Sequence, residues 1–246
     1  MPHRSNASTR LLLALAAFAA GFAGASAFAG SRPVVVELFT SQGCSSCVPA
    51  DALMGQLAAR KDVLAMSLPI TYWDMLGWKD TLASDANTRR QKAYSDAMHR
   101  GGVYTPQMIV DGVNDLVGSR EPAIQAAITA RAADAQAVPI KVTTTPAEVH
   151  VEVGEGKGGD ATIWLFRILP KATVTISAGE NGGHTVTYRN IVQDVKAVGL
   201  WKGQPVTLDL PKQEIAGAPK DAIAVIVQQG GYGRIIGAIL VDKPAL

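Results

Sequence analysis

The chain has 246 residues, 48% of them hydrophobic and 18% charged, with a formal net charge of +2. That length and apolar content suit one large or two ordinary folded domains and exclude a disordered polypeptide. The near-neutral balance also excludes a polybasic nucleic-acid binder, because phosphate contacts need a net basic surface.

Arg4 and Arg10 precede an apolar stretch, Leu11 to Gly24. Ala25-Ser26-Ala27 and Ala27-Phe28-Ala29 follow as small-residue cleavage sites. This is the layout of a secretory signal over residues 1–29, and it predicts a periplasmic or secreted protein. An uncleaved membrane anchor is the alternative, because no charge falls between Arg10 and Arg32. The cleavage motifs favour removal, after which no stable membrane insertion is expected. Loss of Arg4 and Arg10 leaves as many basic residues as the 21 acidic ones, so no nucleic-acid partner is expected either.

Val34 to Phe39 is a short, β-branched, mostly apolar run that reads as a buried strand. Thr40 to Gly43 breaks the pattern with turn residues. Cys44-Ser45-Ser46-Cys47 follows and opens a helix-like segment, Pro49 to Arg60. Val63 to Ile70 is a second strand. Tyr72 to Leu82 is an aromatic connection, and Ser84 suits the N-cap of a polar helix running to about Arg100. Gly101-Gly102 ends it. A strand enters at Thr105-Pro106, turns at Asp111-Gly112 and returns through Leu116-Val117. A last helix spans about Glu121 to Ala135.

Beyond Val138 the texture changes to short alternating runs: 140–144, 148–153, 162–169, 174–176, 185–189, 206–210, 223–228 and 235–241. Turn clusters separate them, and one short helix is expected around Ile191 to Ala197. Strands at this spacing suggest an antiparallel sandwich.

The chemistry lies in the cysteines. Only two occur. A disulfide closing so short a loop gives a large chain little conformational restraint, so stapling explains the pair poorly and reactivity explains it better. Free amides and the macrodipole at a helix start favour a thiolate, which is the nucleophile. Two intervening residues put the second thiol in reach of a mixed disulfide formed by the first. Strand, tight loop, CxxC and helix in that order read as a thioredoxin-like redox site.

The sequence resembles the DUF1223 family of thioredoxin-like secreted proteins of unassigned function. The residues that carry the resemblance are Glu37 to Cys47, Pro49-Ala50-Asp51, Tyr72-Trp73-Asp74, Leu76 to Asp80, and Gly102 to Met108. It implies an α/β thioredoxin-like domain with a helical insertion over residues 30–137. A smaller antiparallel β-sandwich-like domain would follow over residues 138–246. It also implies a cis Thr105–Pro106 bond beside the cysteines. Two positions depart from the family. Val48 stands where a proline is common, and Pro69-Ile70-Thr71 stands where the family usually reads His-Val-Asp, which removes two titratable groups.

The expected function is thiol–disulfide exchange on protein thiols or disulfides, with Cys44 attacking and Cys47 resolving. The redox partner is not named by the sequence, and no organic cofactor is implied. Asp51, one turn past Cys47, is a candidate to take its proton; a simple acid in the first helical turn is the alternative. Glu37, in an otherwise apolar strand, is a second proton-transfer candidate, against a solvent-facing or ion-paired glutamate. Tyr104, Thr105 and Pro106 are candidates to bind substrate, the backbone before the proline pairing with an extended chain. Trp73 and Trp78 suit either a groove or the core. No zinc site is expected, since His99, His150 and His184 lack finger-like spacing. A Cu(I) metallochaperone using the same thiolates is an alternative function, because thiolates are soft ligands. A non-catalytic interaction module with a permanent disulfide is another.

Overall fold

The computed structural model describes Met1 and residues 32–133, 137–145, 147–215 and 221–241. Apart from Met1, the expected signal segment lies outside the described residues.

Strand β1, Val34–Thr40, is buried along its whole length. It pairs in parallel with β2, Val63–Pro69, from Val34 opposite Val63 to Thr40 opposite Pro69. Between them runs α1, Val48–Leu57. On the other side of β1 lie the antiparallel strands β3, Gln107–Val110, and β4, Asn114–Val117. Helix α2, Asp85–Ala97, lies between β2 and β3; its N-cap is Ser84, whose hydroxyl accepts from the Asn87 amide. Helix α3, Glu121–Ala132, follows β4. The Thr105–Pro106 peptide is cis, as expected.

The second half continues the same sheet. Strands β7, Ala161–Thr175, and β8, Thr185–Trp201, form a long hairpin, and β8 joins β2 at a parallel bridge between Ser67 and Ile191. Strands β10, Ala222–Gln229, and β11, Ile235–Val241, add beyond β7. The eight strands run β11-β10-β7-β8-β2-β1-β3-β4. A separate sheet of three holds β5, Ile140–Thr144, β6, Glu148–Val153, and β9, Val206–Pro211, with β6 central. Strands from both sides of residue 137 thus share the eight-stranded sheet, and the described residues from Arg32 to Val241 fall in one compact unit. The smaller antiparallel sheet packs Val149, Val151 and Val153 against Ile163, Leu165, Val225 and Val227 of the large sheet.

One expected helix is a correction. Residues 191–197 are the middle of β8. Ile191, Val192 and Val195 carry helical spacing, but they are β-branched and β7 pairs along them, with one bulge at Gln193. The runs 162–169 and 174–176 likewise join into one strand, and the ladder skips Pro170 and Asn190. Pro170 has no N–H to offer, and Asn190 sits at φ +47° with its amide donating to the Ala65 carbonyl.

Alternation along β1 sorts two cores. Val34, Val36 and Leu38 face α1 and α3. Val35 and Phe39 face α2 and the returning strands β10 and β11. That return is tied by the Ile235 amide donating to the Asp111 carbonyl at 2.9 Å. No helix among the described residues is long and apolar enough to cross a membrane.

Candidate functional site

The turn after β1 delivers the cysteines to a helix start. Asp80 holds the turn from behind, its Oδ2 accepting from the Gln42 amide at 2.7 Å. The Cys44 amide donates to Ser41 at 3.1 Å, and Ser45–Cys47 then form a single 3-10 turn that runs into α1. Pro49 occupies the first turn of α1, where its missing N–H costs nothing. Cys44 and Cys47 are joined as a disulfide with Cα atoms 5.3 Å apart. Both residues are fully buried, while Ser45 and Ser46 between them are exposed.

Two hydroxyls address the Cys44 sulfur. Thr105 Oγ1 donates to it at 3.4 Å, and Ser46 Oγ lies 3.3 Å away. A disulfide sulfur carries no hydrogen, so Ser46 is the donor here as well. Thr105 is oriented by Trp73, whose indole N–H donates to Thr105 Oγ1 at 2.9 Å. With its acceptor side so engaged, the hydroxyl turns its hydrogen to sulfur. From α2, Gln91 Nε2 donates to the Tyr104 carbonyl at 2.7 Å and to Gln107 Oε1 at 2.9 Å, which fixes the strand entry around Pro106. Pro106 is buried and Thr105 half-buried.

The other sequence candidates separate. Asp51 is buried, and its Oδ1 has no hydrogen-bond partner among the described residues. Burial pushes its carboxyl up to about 8, with the nearby Thr40 hydroxyl opposing and the Asp80 charge adding. Burial likewise raises Asp80. Tyr188 of β8 completes this group, its phenol pushed up by burial and then by Asp51 and Asp80. Asp51 is thus not a surface acid of the first turn. Glu37 faces the other way, toward α2, where both oxygens meet Arg90 at 2.5 and 3.0 Å. Of its sequence readings, the ion-paired one describes the geometry, and the sheet stands between its side chain and α1. Tyr104 is engaged elsewhere: its hydroxyl donates to Asp115 at 2.6 Å, and Arg100 pairs with the same carboxylate. Trp73 and Trp78 are both half-buried, and Trp78 donates to Gln42 Oε1 at 2.8 Å.

Sequence reasoning missed a contact from far along the chain. The turn between β7 and β8 brings Glu180 to Ser45, where Oε2 accepts from the backbone amide at 3.0 Å and the hydroxyl at 2.8 Å. Asn181 beside it donates to the Gln42 carbonyl at 2.9 Å. The cluster of glycines from Gly179 to Gly183 marks a turn in the sequence, but nothing local says where that turn lands.

Among the described residues no group of three or more His, Cys, Asp or Glu side chains is placed to hold a metal ion. The chain is a mixed α/β protein with a CxxC disulfide at the leading end of a helix, built on a large central sheet flanked by helices and a smaller antiparallel sheet. It belongs to the family described as "protein of unknown function (DUF1223)", which matches residues 35–228. It is similar over 87% of its length to a protein from Agrobacterium tumefaciens of known crystal structure. That match covers 95% of the other chain at 35% identity, with a TM-score of 0.77. HBP35 of Porphyromonas gingivalis shares the fold at 14% identity and a TM-score of 0.63, over 86% of this chain and 75% of that one. Among proteins of curated function none matches the sequence.

Proposed function

We propose that the protein is an exported thiol–disulfide oxidoreductase of thioredoxin-like design, acting on protein thiols or disulfides through Cys44 and Cys47. Residues 30–137 form the redox unit and 138–246 the β-rich part that frames it. The observation that carries the reading is the placement of Cys44 at a helix start with the Thr105 hydroxyl donating to its sulfur. Helix amides and a directed O–H both stabilise a negative sulfur more than a neutral one. A structural disulfide closing a three-residue separation has no use for such donors.

The exchange balances within the pair. In the reduced protein the Cys44 thiolate attacks one sulfur of a substrate disulfide, and the other substrate sulfur leaves as a thiolate. Cys47 passes its proton to the Asp51 carboxylate and attacks the Cys44 sulfur. The Cys44–Cys47 bond forms and the second substrate thiolate leaves, so the substrate gains the two electrons that the protein loses. The reverse sequence oxidises a substrate dithiol. Asp51 at about 8 is well matched to a thiol, since proton transfer is most efficient between groups of similar pKa.

Trapping tests this. Reduced Cys47→Ser protein, mixed with oxidised exported proteins, is expected to retain mixed disulfides on Cys44 that dithiothreitol releases. If nothing is captured, and the wild-type disulfide also resists dithiothreitol and glutathione, the reading fails. Stoichiometric Cu(I) uptake without any exchange would replace it with the metal-carrier function.

A further inference from the structure

The turn between β7 and β8 takes no part in the exchange just described, yet it closes on it. Gly182 and Gly183 donate to Gly179 and Ile176 at 3.1 and 2.8 Å, which makes the turn tight. Gly179 sits at φ +75°, and a Cβ there would stand 3.2 Å from Trp78 Cβ, so the turn is wedged against the aromatic segment. The buried Asn181 anchors it to Gln42. These contacts deliver one carboxylate, Glu180, to the amide that follows Cys44.

That amide is one of the free donors on which a Cys44 anion would draw. In the disulfide form the sulfur is neutral and the donors can serve Glu180. Reduction changes the charge: the disulfide takes up two electrons and becomes a Cys44 thiolate and a Cys47 thiol. Two anions then compete for one set of amides. The titratable groups on the elements about this turn include Tyr72, Asp74, Lys79 and Asp80 of the 71–82 segment, Asp51 of α1, and Tyr188 and Arg189 of β8. The exposed His184 ends the same loop as Glu180. Unlike these groups, Glu180 accepts a hydrogen bond from the backbone between the cysteines.

We propose that Glu180 is a positioning residue that restrains ionisation of Cys44, and that its grip on Ser45 holds the β7–β8 turn over the disulfide until reduction loosens it. This rests on the pair being redox-active. The lowered carboxyl of Glu180, caused first by the Ser45 amide and then by its hydroxyl, agrees with an anion settled on these donors. Because Glu180 is exposed, its influence is screened by salt.

The test is Glu180→Gln, which keeps the shape and the acceptor and removes the charge. In the Cys47→Ser background, thiolate absorbance against pH is expected to give about tenfold more Cys44 thiolate in the variant at any pH below both midpoints, one pKa unit. The gap should shrink in 1 M salt. In the two-cysteine protein, the variant's reduction potential should rise, because its thiolate is stabilised. Dithiothreitol should also reduce its disulfide faster. Glu180→Ala should do the same. If either variant lowers only the melting temperature and leaves thiolate fraction and potential unchanged, Glu180 is a loop anchor and the proposal is overturned. A Cys47→Ser protein that traps substrate, while Glu180→Gln in the same background shows no shift, sinks this inference alone. A shift without any trapping, in a disulfide that dithiothreitol does reduce, leaves this inference standing and removes only protein chains as the substrate.

Discussion

Arg90 and Glu37 meet as a fully buried ion pair, Nε to Oε1 at 2.5 Å, on the face of β1 turned away from the cysteines. The Tyr94 hydroxyl donates to the same carboxylate at 2.5 Å, and Gln228 accepts from the guanidinium at 3.0 Å. Four rings surround the guanidinium carbon at 5.0 to 5.5 Å: Tyr94, Trp164, Phe166 and Tyr232. The charge therefore ties α2 and β10 to β1. Removing one member leaves the other charged and dry, at a cost of about 3–5 kcal/mol, whereas an apolar pair of similar volume is tolerated. Arg90→Met and Glu37→Leu are each expected to lower the urea midpoint sharply, and the double variant to recover most of the loss. A double variant that is the sum of the singles would mean the pair is not the unit of stability.

The line from Trp73 through Thr105 to Cys44 makes a second prediction. Thr105→Val keeps the shape and deletes the donor. A hydrogen bond to a charged group contributes roughly 1.5 kcal/mol or more, and 1.36 kcal/mol is about one pKa unit. The Cys44 thiol of the reduced variant should therefore titrate about one unit higher. Trp73→Phe should move it less but in the same direction, since Thr105 keeps its hydroxyl and loses only the group that aims it. Absorbance titration of the thiolate reads both. An unchanged titration in Thr105→Val would mean that the hydroxyl does not serve the anion.

Much of this was legible in the sequence, and the limits are physical. Strand β1 and the CxxC turn announce themselves because a β-branched run, turn residues and a helix former occur in immediate succession. Ser84 was readable as an N-cap because a cap acts within three residues. The shared eight-stranded sheet was not readable. Its joint is the bridge between Ser67 and Ile191, and no local pattern encodes a pairing across so much chain. The same distance hid Glu180 on Ser45. Residues 191–197 misled because their apolar spacing fits a helix as well as a strand, and the partner strand decided between them.

Two glycines with similar backbone angles should respond differently to alanine. Gly112 has φ +70°, and a Cβ would fall 2.0 Å from the Gly233 carbonyl oxygen. Gly101 has φ +71° with nothing within 4 Å. The left-handed conformation alone costs a non-glycine residue roughly 1–2 kcal/mol. Gly101→Ala should cost about that much. Gly112→Ala must also push the β10–β11 turn off the β3–β4 turn, so it should cost at least about 3 kcal/mol. Chemical denaturation of the two variants makes the comparison. Equal losses would mean that the two turns do not bear on each other.

Asp51 gives a signed pH dependence. Its carboxyl titrates at about 8 in the folded protein, because burial disfavours the charge, against 3.8 in the unfolded chain. Between those values the folded state holds a proton that the unfolded state has released. The Asp51 contribution therefore favours folding most below about pH 4, is lost as pH rises to about 8, and is flat beyond. Asp51→Asn removes this dependence. In the oxidised protein, the variant should match wild type most closely near pH 4 and exceed it increasingly up to pH 8. Asp80, shifted the same way by burial, leaves some slope in both proteins. Exchange should show the opposite preference. Asp51 can accept the Cys47 proton only when ionised, so the resolving step should quicken as pH rises through about 8, and Asp51→Asn should blunt that rise. Urea midpoints at pH 5 and 8, with single-turnover resolution rates across the same window, measure the two effects. A stability gap that does not change with pH would mean that Asp51 is not held neutral in the fold. A resolution rate unaltered in Asp51→Asn would mean that Cys47 gives its proton elsewhere.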